Sequence, residues 1–80
     1  MKNWMLIFTD GETIQTERFE SYELARRQME REMIHDYGVP AEAIDGEDFC
    51  DENSFSYEGD KYSGVVRVNA ASYLWRIVEL

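Results

Sequence analysis

Apolar side chains fill positions 4–8 without a break. Trp4, Leu6 and Phe8 fall on one side of an extended chain and Met5 and Ile7 on the other. A strand that is apolar on both faces belongs in the interior of a sheet. Asp10-Gly11 follows directly and predicts a hairpin with a type I′ turn, because glycine accepts the positive φ that this turn demands. The return stretch "ETIQTERF" sets Ile14 and two threonines among polar neighbours, which predicts a short strand with one side in water.

The period then changes. In "SYELARRQMEREMIHDYG", Tyr22, Ala25, Met29, Met33 and Tyr37 recur every three to four residues, while Arg26, Arg27, Glu30 and Arg31 fall on other faces. This predicts an amphipathic helix laid on a sheet. Ser21 is placed to cap its start, with Glu20 and Glu23 near the positive end of the dipole. Gly38 ends it in a left-handed turn, and Pro40 prevents continuation.

Periodicity is lost over residues 39–53, "VPAEAIDGEDFCDEN", which hold six acids and no base. Residues 41–44 suit one helical turn, and the rest reads as a long loop. Beyond it, Phe55 and Tyr57 suggest a strand, residues 58–61 a turn around Gly59, "YSGVVRVN" a strand, residues 69–72 a turn, and "SYLWRIVEL" a final strand. Tyr73, Trp75 and Ile77 line one face of that last strand, and Leu74, Val78 and Leu80 the other. The fold class that follows is α+β: a small antiparallel sheet with one amphipathic helix packed on one face, in the order ββαβββ.

Composition sets the scale. Eighty residues, 44% of them hydrophobic, suit one domain with a small core, burying roughly 60 to 65% of the unfolded surface. Cys50 is the only cysteine, so neither an internal disulfide nor a cysteine-rich metal site can form. No stretch approaches the roughly 20 apolar residues of a membrane span, and the apolar start is too short for a signal peptide. A cytoplasmic protein without a membrane partner is expected.

Charge changes the picture most. The formal net charge is −9, and residues 41–60 contribute eight acids and no base. Such clustering suits a patch that meets a basic partner, as well as a coat that keeps a small protein apart from its neighbours. Phosphates on one strand of a duplex are spaced ~3.4 Å apart, close to the advance of an extended chain per residue, so these carboxylates are sparser by roughly two- to threefold. They fit the imitation of a patch of nucleic acid, not of a length of it. Phe49, Phe55, Tyr57 and Tyr62 are interleaved with them, and aromatic anchors shield neighbouring charge pairs from water. The partner-binding candidates are Glu47, Asp48, Asp51, Glu52, Glu58 and Asp60, with Tyr57 or Tyr62 as anchor.

Other chemistries fit less well. An EF-hand loop needs oxygen ligands at alternate positions and glycine at the sixth. Counted from Asp45, the fifth and sixth positions are Phe49 and Cys50; counted from Asp51, the fifth is Phe55. His35 falls on the helix surface, and the acids beside Cys50 raise a thiol's pKa and blunt its reactivity. Arg26, Arg27 and Arg31 stand among Glu23, Glu30 and Glu32, and the whole chain repels nucleic acid. No cofactor, metal, catalytic group or direct nucleic-acid contact is therefore expected. The expected function is a small acidic protein–protein interaction module, of the kind a phage or mobile element uses as an inhibitor. It would mimic a nucleic-acid patch to block a basic site on a nucleic-acid-binding protein. A monomer or small homo-oligomer is expected; a structural or homo-oligomeric subunit without catalytic activity is the alternative, and a weak cation-binding module is the third reading.

Overall fold

The computed structural model describes residues 1–44 and 55–80, together with the backbone of Phe49 and Cys50. β1 (Trp4–Thr9) lies inside the sheet, as its two apolar faces require. It pairs antiparallel with β2 (Ile14–Phe19) on one side and with β6 (Ala71–Glu79) on the other. The sheet continues through β5 (Ser63–Val68), β4 (Phe55–Gly59) and the two-residue β3 (Phe49–Cys50). Its order is β2-β1-β6-β5-β4-β3, antiparallel throughout. The α+β architecture is the expected one. The helical turn expected at residues 41–44 is α2 (Ala41–Ile44), and the two-residue β3 is added to the ββαβββ order where a loop was expected.

α1 (Tyr22–Arg31) starts at Ser21, whose hydroxyl accepts a hydrogen bond from the Leu24 N–H at 3.2 Å. Its stripe is the one that the spacing dictates: Ala25, Met29 and Met33 are fully buried. The helix is not α throughout, because Glu32–Asp36 form a wider π-helical turn. Gly38, at φ 74, closes the element, and the Val39 N–H donates to the Met33 carbonyl at 3.0 Å.

Register decides which sheet residues meet this stripe. Leu6 lies opposite Ile77 and Phe8 opposite Trp75; Trp75 lies opposite Gly64, and Val66 opposite both Tyr73 and Tyr57. All of these share the helix-covered face, since alternate residues of a strand point the same way. Gly64 leaves room for the Met33 side chain, because a Cβ there would sit 2.1 Å from Met33 Cε. Val39, Ala43 and Ile44 close the same core from the chain after the helix.

The first hairpin departs from expectation. In place of a two-residue type I′ turn, a four-residue loop, 10–13, joins Thr9 to its partner Ile14. Asp10 explains the difference. Its Oδ1 accepts from the backbone N–H groups of Glu12 and Thr13, both at 2.9 Å, and from the Thr13 hydroxyl at 3.2 Å. The turn at 60–63 repeats the device: Asp60 Oδ1 accepts from the N–H groups of Tyr62 and Ser63 at 2.8 and 2.9 Å and from the Ser63 hydroxyl at 3.0 Å.

Candidate functional site

Of the residues selected from sequence, Glu47, Asp48, Asp51 and Glu52 lie outside the described residues. Of the other four, Glu58 and Asp60 line one shallow surface pocket, Tyr62 shares the Asp60 turn, and Tyr57 faces the core. Tyr57 is only 2% exposed and forms part of the core, so its ring offers no surface to a partner. Tyr62, 45% exposed, is the ring of the pair that faces water. Glu58 lies 3.7 Å from Arg67, an exposed ion pair. Asp60 holds its own turn, and the resulting hydrogen bonds, from the Tyr62 N–H above all, keep its carboxyl below the usual carboxylate range.

Around Tyr62, cations and other rings stand beside the Asp60 carboxylate. Its ring meets Tyr22 edge-on at 5.3 Å, and Trp4 meets Tyr22 at 5.7 Å. Lys61 Nζ stands 5.7 Å from the Tyr62 ring and 5.9 Å from that of Tyr22. Tyr22 donates its hydroxyl to the Lys61 carbonyl, and Arg26 Nη1 donates to the Asp60 carbonyl at 2.8 Å. These bonds fasten the 60–63 turn to the start of α1, in a neighbourhood where cations balance the acids.

A second aromatic cluster stands where the helix ends. Tyr37 lies 4.5 Å from Tyr73, 6.1 Å from Phe8 and 5.2 Å from Trp75, and Phe8 stacks parallel to Tyr73 at 6.4 Å. Trp75 is buried, whereas Phe8, Tyr37 and Tyr73 remain half-buried. The π turn carries Tyr37 into this group, and strand register supplies the other rings. The charges of Asp10, Glu32 and Asp36 reach Tyr37. Desolvation raises the Tyr37 phenol above its ordinary pKa, and Tyr73, Asp36, Asp10 and Glu32 push it in the same direction. Glu32 is fixed by two hydrogen bonds, from Trp75 Nε1 at 3.1 Å and from Gln28 Nε2 at 2.8 Å.

Ring faces beside carboxylates can take a guanidinium or an ammonium group, since the ring attracts the cation and the carboxylates pair with it. No local pattern announces this grouping, because Phe8, Tyr37 and Tyr73 meet only through sheet register and the helix end. His35 is exposed on the π turn. Among the described residues, no three His, Cys, Asp or Glu side chains are arranged to hold a metal ion. Among them also, no helix is long and apolar enough to cross a membrane. No family model, curated protein or solved structure matches the chain.

Proposed function

We propose that this chain is a small acidic interaction module that docks on a basic, nucleic-acid-binding surface of another protein and blocks it by mimicking a patch of nucleic acid. An inhibitor carried by a phage or mobile element is the class of protein that fits this description. The observation that supports the reading best is the half-buried ring group Phe8, Tyr37 and Tyr73, with the charges of Asp10, Glu32 and Asp36 reaching Tyr37. An arginine or lysine of the partner stacks there, and the acids at 47, 48, 51 and 52 supply further negative charge. Charge speeds and steers the encounter, and aromatic contact sets its lifetime. The reading involves no catalytic step.

The test is a pull-down of the tagged protein from bacterial lysate, washed at low and at high salt. Two variants are run beside it: Asp36→Lys, and the triple reversal Asp48→Lys, Asp51→Lys and Glu52→Lys. Nucleic-acid-binding proteins retained at low salt, released at high salt and lost from both variants at unchanged melting temperature are expected. Retention indifferent to both variants would count against the proposal, and a concentration-dependent dimer in its place would favour a homo-oligomeric structural subunit.

A further inference from the structure

The face of the sheet opposite the helix has no element packed on it among the described residues, and it is not polar. Met5 and Ile7 of β1, Ile14 of β2, Val65 of β5, and Leu74 and Val78 of β6 share it by register. An antiparallel sheet with one face in water ordinarily alternates to polar residues on that side. Here Leu74 is 42% exposed and Ile14 73% exposed. The charges on the face also run against the rest of the molecule. Arg18, Arg67 and Arg76 stand on it with two acids among the described residues, Glu58, which is paired with Arg67, and Asp60 at its edge, in a chain of net charge −9.

Arg76 is central. It lies opposite Ile7 on β1 and Ser63 on β5, with Leu74 and Val78 two residues to either side on its own strand. A groove of about 290 Å³ runs past it, lined by Ile7, Val65 and Leu74. Asp60, the carboxylate that senses Arg76, already spends one oxygen on its turn. A cation ringed by aliphatic side chains is the layout of an interface hot spot, in which surrounding apolar contacts exclude water from one charge pair.

Complementarity selects the occupant. A second copy docked about a two-fold axis through the centre of this face would bring one Arg76 against the other, between molecules each at −9. Single-stranded nucleic acid needs rings to stack on, and every strand position on this face lacks one. We propose that the open face is a second docking surface, for a protein segment that presents one carboxylate among aliphatic side chains.

The experiment is selection of a random peptide display library on the immobilised full chain, followed by fluorescence titration of the enriched peptides. Peptides with Asp or Glu flanked by Leu, Ile, Val or Met are expected. Their affinity should fall about tenfold or more on Arg76→Glu and on Leu74→Ser, less on Arg76→Gln, and stay unchanged on Asp36→Lys, which lies on the other side. Enrichment of basic peptides, absence of acidic-aliphatic enrichment, or binding indifferent to Arg76→Glu would overturn the proposal. Sedimentation that reveals a dimer broken by Leu74→Ser would overturn it too, in favour of a second copy.

Discussion

Single carboxylates do very different work in this chain. Asp10 and Asp60 each close a turn by accepting backbone N–H groups, and those bonds hold both carboxyls below the usual range. A carboxyl whose folded pKa is depressed binds fewer protons in the folded state than in the unfolded state. Its contribution is therefore complete above the unfolded value and is lost as pH falls through the folded one. Stability should thus drop below about pH 4. In the double variant Asp10→Asn, Asp60→Asn, urea midpoints at pH 5 and pH 3 should differ less than in the parent; an equal difference would remove these groups from the account. Glu32 is a different case, since it satisfies the indole N–H of the buried Trp75. Glu32→Ala should cost about 1–3 kcal/mol in urea unfolding, and Glu32→Gln less, because an amide oxygen still accepts. Sequence alone marked Asp60 for its charge. Its turn geometry, and the carboxylate–indole bond across 43 positions of chain, became visible only in three dimensions.

At the scale of elements, periodicity carried most of the information. The two-residue period placed β1 inside the sheet, and the three-to-four-residue period put Ala25, Met29 and Met33 beneath the helix. Where local signals were weak, detail was lost. The π turn at Glu32–Asp36 satisfies the same apolar spacing as an α-helix, and β3 is two residues of edge pairing without a pattern of its own. Packing between elements supplies a sharper test. Gly64 admits the helix because it has no side chain below Met33, so Gly64→Ala should cost about 1–3 kcal/mol through crowding. Met33→Ala should make room for the added methyl. A double-mutant cycle in urea should therefore find the pair less destabilising than the sum of its parts. Additive costs would mean that the contact is loose.

For the whole molecule, the informative property is the separation of chemistry between the two sides of one sheet. The helix side gathers aromatic rings at both ends of the helix, and Tyr37 in one of these clusters feels the charges of Asp10, Glu32 and Asp36. The open side has aliphatic residues and three arginines. The net charge of −9 pointed to an acidic surface, but a linear tally could not show that three of eight bases share one face. Nor could it show that Tyr62, the exposed ring of the selected pair, has Lys61 against its ring as well as Asp60 in its turn. On the function proposed above, cationic side chains of a partner are received at the Tyr37–Tyr73 cluster. The most direct measurement is a two-dimensional ¹H–¹⁵N NMR titration of the labelled protein with an arginine-rich peptide, repeated at raised salt. Shifts concentrated at Asp10, Asp36, Tyr37 and Tyr73, fading with salt while Ile7, Leu74 and Arg76 stay still, are the predicted result. Shifts spread evenly over the surface, or absent from that cluster, would contradict the account.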